Sequence, residues 1–182
     1  MHPRIEELFD HLDRRRVEVR SALEAVPFDR HQVQPDGAWS VVNVLEHLAM
    51  VEGNIASLFR KRIDAARTTG LGQEMETSSV LEQPIFGNIL DRRRKIRGAD
   101  AVRQVSSLDT ESAWRNLEQT RSQLREVVMS ADGLALGELT HQHRVFGPLN
   151  FYQWLVFIAD HEGRHAAQIR EIGERVGGIE PG

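Results

Sequence analysis

The sequence predicts an all-α protein, a four-helix bundle with a long connection between its second and third helices. Three observations carry that prediction. Four stretches repeat apolar residues at the helical period. Capping or breaking residues bracket each of them. No convincing strand pair and no repeat at a solenoid period accompanies them. The helices are expected over about 4–26, 40–67, 110–131 and 150–176, in one domain spanning 1–182.

The first helix carries Ile5, Leu8, Leu12, Val19, Leu23 and Val26 on its stripe, with Arg15 and Arg16 interrupting it and Pro27 ending it. The second opens at Ser40, a good N-cap, after the turn Pro35-Asp36-Gly37. Its stripe runs Val44, Leu48, Val51, Ile55, Phe59, Ile63 and fades at Thr68-Thr69-Gly70. The third begins near Asp109 or Thr110, with Glu111 early, where the helix dipole favours an acid. Trp114, Leu117, Leu124, Val127 or Val128, and Ala131 form its stripe, and Asp132-Gly133 stops it. The fourth follows Pro148, with Asn150 as cap, and carries Phe151, Trp154, Ile158, His161, His165, Ile169, Ile172 and Val176 before Gly177-Gly178. Within the 70–108 segment, Gly70-Leu71-Gly72 and Glu82-Gln83-Pro84 read as loop. Residues 88–97 read as a short basic helix, and 100–108 as a further turn or two.

Composition narrows the function classes. The chain has 182 residues, 40% hydrophobic and 27% charged, which is globular rather than disordered. Lys and Arg number 23 against 27 Asp and Glu, a net charge of −4, which argues against a protein built to grip phosphate backbones. The basic runs Arg14-Arg15-Arg16 and Arg92-Arg93-Arg94-Lys95 with Arg97 lack interleaved aromatics and read as solvated faces. There is no cysteine, so disulfides, thiolate metal sites and a Cys nucleophile are excluded. Any metal must sit on His, Asp or Glu, and any thiol chemistry needs a thiol from another molecule. The N-terminal residues hold no apolar signal-peptide region. The longest uncharged run, 145–159, is too short and polar to span a bilayer. A soluble cytoplasmic protein is expected, without a nucleic-acid or membrane partner.

Among the eight histidines, His161 and His165 stand out. Four residues apart, they share one helix face, between Ile158 and Ile169 on the apolar stripe. Two imidazoles in core positions are costly unless their nitrogens are satisfied. Either hydrogen-bonding neighbours or a transition metal would do so. A metal needs a third ligand, and His47, between Val44 and Val51 on the second helix, is the best candidate. The string from His161 to His165 spells HExxH, but the further ligands of the zinc proteases are missing: no His follows at metzincin spacing, and Glu180 lies in a Gly-rich tail. Glu162 is then either a proton acceptor beside the site or a solvated helix residue. His141-Gln142-His143 reads as a polar loop ahead of the fourth helix, at the pocket or away from it. Trp39, Trp114 and Trp154 read as core packing. There is no Ser in a nucleophile elbow, so an enzyme here would use a water or an external thiol activated by the metal. Glu162 would accept the proton and Arg164 would hold an anionic substrate.

The segments Trp39-Ser40-Val41-Val42-Asn43-Val44-Leu45-Glu46-His47-Leu48, Phe146-Gly147-Pro148-Leu149-Asn150, Trp154-Leu155 and His161-Glu162-Gly163-Arg164-His165-Ala166-Ala167-Gln168-Ile169 together resemble the DinB-like superfamily. The match is nearest its branch of metal-dependent hydrolases and thiol S-transferases, and it spans nearly the whole chain. The resemblance implies a four-helix bundle, often a homodimer, with a three-His site for zinc, nickel or a similar ion on His47, His161 and His165. It also implies a small-molecule substrate and, in some relatives, a low-molecular-weight thiol as co-substrate. The alternative is a non-enzymatic metal-binding or stress-response protein whose metal is structural or sensory.

Overall fold

A computed structural model describes residues 1–82, 86, 89–90 and 106–177. Four long helices dominate it: α1 (Pro3–Glu24), α2 (Val41–Thr69), α3 (Thr110–Met129) and α4 (Phe151–Gly177). Helix α1 lies against α4, α2 lies against α3, and α2 also meets α4, so the fold is a four-helix bundle. The basic residues 92–97, the expected helix over 88–97 apart from Ile89 and Leu90, and Gly178 and Glu180 lie outside the described residues. No described helix is long and apolar enough to cross a membrane.

The helix starts follow from local hydrogen bonding. At α2, Ser40 Oγ accepts from Asn43 N at 3.2 Å and Asn43 Oδ1 accepts from Ser40 N at 3.1 Å, a reciprocal capping box. Asp109 Oδ1 accepts from Ser112 N at α3. Asn150 Oδ1 accepts from Gln153 N, and Gln153 Oε1 from Asn150 N, each at 2.9 Å, at α4. Gly70, at φ 86°, ends α2 in the left-handed conformation that a side chain resists.

The apolar core forms two clusters stacked along the bundle. One gathers Leu8, Leu12, Phe59, Leu124, Phe151 and their neighbours, with Phe59 and Phe151 stacked at 3.9 Å. The other gathers Val19, Leu45, Leu117, Ala166, Ile169 and theirs. Between them each helix contributes one buried polar residue: Arg16, Glu52, Arg121 and Glu162. Arg16 reaches Glu52 at 2.8 Å and Glu162 at 2.6 Å, and its Nη1 meets Glu118 at 2.6 Å. Arg121 pairs with Glu52, stands 3.0 Å from Glu162 Oε1, and donates to the Leu12 carbonyl at 3.1 Å. Burial alone would disfavour the Arg16 cation, but Glu162 and Glu52 outweigh it and hold its pKa above the ordinary value.

Two sequence expectations are corrected here. Arg16 does not interrupt the buried face of α1; it is 8% exposed and belongs to it, because three carboxylates satisfy its guanidinium. A strand pair is present: β1 (Thr140–His143) pairs antiparallel with β2 (Gly147–Asn150), His143 opposite Gly147 and Thr140 opposite Asn150. Each strand is four residues long, with little apolar alternation to announce it.

Breaking the ionic layer from one side should be costly. Arg16→Ala leaves Glu52 and Glu162 buried without that partner, and is expected to lower unfolding free energy by about 3–5 kcal/mol. Glu118→Ala removes a half-exposed partner and should cost about 1 kcal/mol or less. Urea unfolding of both variants measures the contrast; equal losses would contradict it.

Candidate metal centre

The Ser40 capping box fixes where α2 begins, and so which face of it holds His47. Helix α4 presents His161 and His165 one turn apart. The three side chains converge through Nε2: His47 to His161 at 3.3 Å and His165 to His161 at 3.1 Å. One nitrogen from each ring lies within 4.8 Å of the others, and no fourth His, Asp or Glu among the described residues joins the group. Donors about 2.0–2.1 Å from a shared tetrahedral ion stand roughly 3.3 Å apart, so the spacing fits one ion.

Hydrogen bonding and electrostatics point the same way. His165 Nδ1 donates to Gln168 Oε1 at 2.8 Å, which leaves the lone pair of Nε2 directed at its neighbours. His47 Nδ1 is buried with no hydrogen-bond partner among the described residues. Burial pushes the His47 pKa down to about 4. Burial, then the neighbouring His47, Arg164 and His143, pushes His161 to about 3. The neutral imidazoles of His47 and His161 therefore meet the His165 ring nitrogen to nitrogen, and a cation at their centre would satisfy all three.

The trio lies in the wall of a cavity of about 540 Å³. Trp39, the residue before the α2 cap, stacks parallel to His165 at 6.1 Å and lies 4.9 Å from His47. Phe157 stacks on His161 at 5.3 Å. Trp154 and Phe146 extend this apolar wall, while Arg144, Arg164, Gln168 and Asn54 add polar groups. Trp39 and Trp154 thus line the cavity rather than only packing the core. Trp114 packs against the second core cluster, under the Arg20 guanidinium at 5.0 Å.

The other expected site residues divide. Arg164 lines the cavity, its Nη1 donating to the Ile89 carbonyl at 2.9 Å. Glu162 lines no part of it. Its carboxylate turns into the ionic layer, where Arg16 and Arg121 hold Oε1, and it is 2% exposed. It is neither solvated nor placed as a proton acceptor for the cavity, because the next residue along a helix points about 100° away from its predecessor. His143, left open on the sequence, is in the cavity wall, brought there by the β1–β2 turn.

A helical bundle that turns three imidazoles towards one cavity defines a class, and the comparisons with known proteins name it. A model of the DinB superfamily matches residues 11–169, so the chain belongs to that superfamily. It is 24% identical over 163 residues to the uncharacterized protein YuaE of Bacillus subtilis strain 168, covering 88% of this chain and 94% of that one. Among solved structures it is similar to TT2238, a four-helix bundle protein, with a TM-score of 0.60 and 21% identity over 91% of this chain and 98% of that one. That likeness shows the fold.

His161→Ala is expected to abolish divalent-metal uptake while circular dichroism stays helical, since both apolar clusters are intact without the ring. Loss of helix in the variant would contradict this. The pH dependence has a definite sign. The folded pKa values lie below the ordinary 6.5, so the unfolded chain takes up protons that the folded protein refuses. Chelator-stripped protein should therefore lose stability as pH falls from 6.5 towards 4, more steeply than His161→Ala does. Parallel thermal melts of the two proteins measure it, and equal slopes would refute it.

Proposed function

We propose that the protein is a metal-dependent enzyme acting on a small molecule, either a hydrolase or a thiol-dependent S-transferase, with His47, His161 and His165 holding zinc or nickel. The observation that carries this reading is the position of the trio. Its three donors face a cavity large enough for a small molecule, and no fourth described ligand closes the group, as it would in a structural site. A divalent ion on three neutral imidazoles keeps its full charge, and supplies Lewis acidity that makes a water or thiol a nucleophile near neutral pH.

The chain's own residues supply the rest. Gln168 holds the His165 tautomer that leaves Nε2 for the ion. Trp39, Phe146 and Phe157 bind apolar groups and exclude water around the imidazoles. Arg164 and Arg144 bring positive charge to the wall and favour a substrate with a negative or developing negative group. With no cysteine in the chain, the thiol of an S-transfer comes from outside.

The test is a screen of electrophilic small molecules with bacillithiol, mycothiol, glutathione or no thiol, with and without zinc or nickel. Metal-dependent turnover that His47→Ala reduces by at least about a hundredfold is expected. Turnover surviving complete metal removal overturns the reading. So does unfolding of the wild type by chelator alone, which would make the ion structural.

A further inference from the structure

The cavity holds a fourth histidine whose chemistry differs from that of the trio. His143 ends β1 opposite Gly147, and the turn between them leaves backbone N–H groups without strand partners. His143 Nδ1 accepts two of them, from Val145 N at 3.0 Å and Phe146 N at 3.1 Å. A nitrogen that accepts twice carries no proton, so the ring proton resides on Nε2. Protonating Nδ1 would set an N–H against both backbone donors. Burial, and then Arg144, also lower the pKa of this ring, in keeping with a neutral state.

The ring is held on three sides. Phe157 lies 4.6 Å away, Phe146 4.9 Å and Trp154 5.1 Å. It shares the cavity wall with His161, and Phe157 lies against both rings. Nε2 itself makes no hydrogen bond to the described residues, and it is not among the sealed polar atoms. No carboxylate is found among the described residues lining the cavity. A fixed neutral N–H donor in a mostly apolar wall calls for an acceptor that arrives with the ligand, and a carbonyl oxygen is the acceptor an apolar molecule carries.

We propose that His143 is a substrate-binding residue that donates from Nε2 to the acceptor oxygen of an apolar, carbonyl-bearing small molecule seated against His47, His161 and His165. This rests on the metal-dependent reading and adds the substrate class and a fourth residue. In that pose the donor would meet the oxygen that gains negative charge during attack on the carbonyl, and would need no proton transfer of its own to stabilise it.

Two measurements test it. Long-range proton–nitrogen correlation spectra of the wild type should show His143 as the Nε2–H tautomer. The second uses cobalt(II)-loaded protein titrated with benzohydroxamate, an aromatic carbonyl ligand, and followed in the visible spectrum. His143→Asn keeps a side-chain oxygen for Val145 N and Phe146 N but removes the distant donor. His143→Gln places an N–H near the former Nε2. With cobalt content equal to the wild type, benzohydroxamate is expected to bind about tenfold more weakly to His143→Asn, and within about threefold of the wild type to His143→Gln. An Nδ1–H tautomer, unchanged affinity in His143→Asn, or equal weakening in both variants overturns the proposal and leaves the metal site standing. Wild type that takes up no cobalt instead overturns the metal reading, and this inference with it, before any hydroxamate is added.

Discussion

The rest of the bundle depends on one layer of buried charge. Arg16, Glu52, Arg121 and Glu162 come one from each helix and meet between the two apolar clusters. Apolar side chains tolerate sliding; paired ions do not. Shifting α4 by one turn, about 5.4 Å, would carry Glu162 out of reach of both guanidiniums. It would carry His161 and His165 past His47 as well. Desolvating these groups is costly, and the return is an axial register in which two imidazoles on one helix meet a third on another.

Glu162 and His161 are neighbours in the chain and serve opposite ends of that arrangement. The rotation of about 100° per residue sends the carboxylate into the layer and the imidazole into the cavity. The same economy appears at the start of α2. The capping box at Ser40 fixes the helix entry, the residue before it supplies the indole stacked on His165, and the helix itself supplies His47. Aromatic rings cover His161 and His165, and burial keeps His161 neutral, so protons compete weakly for its nitrogen facing the other two rings.

Much of this was legible in the sequence. The fold class follows from four apolar stripes, and the caps at Ser40, Asp109 and Asn150 appear where side-chain oxygens precede those stripes. His161 and His165 were visible because they occupy stripe positions, and the superfamily was visible through the segments around Trp39, Phe146 and His161. What was hidden is mutual. Arg16, Arg121, Glu52 and Glu162 each look like solvated charges when read singly, and only their meeting makes burial tolerable. Periodicity assigns charge to the surface, so it misplaced Arg16 and misread Glu162. The β1–β2 hairpin was hidden for a different reason. Its strands are too short for alternation to speak, and its turn is held by a histidine side chain rather than by a familiar turn pair.

The hairpin separates the histidine trio from part of the wall of the cavity that the trio faces. The imidazoles stand on α2 and α4, whose positions the whole core enforces, whereas His143, Arg144, Val145 and Phe146 reach the cavity from a surface excursion between α3 and α4. The turn residues 143–146 can therefore diverge without disturbing the histidine trio, while Leu149 stays in the core and Asn150 stays the cap of α4. A lineage built on this plan could reshape the mouth of its cavity by rewriting one short stretch of chain, keeping an inherited trio of histidines while the doorway changes.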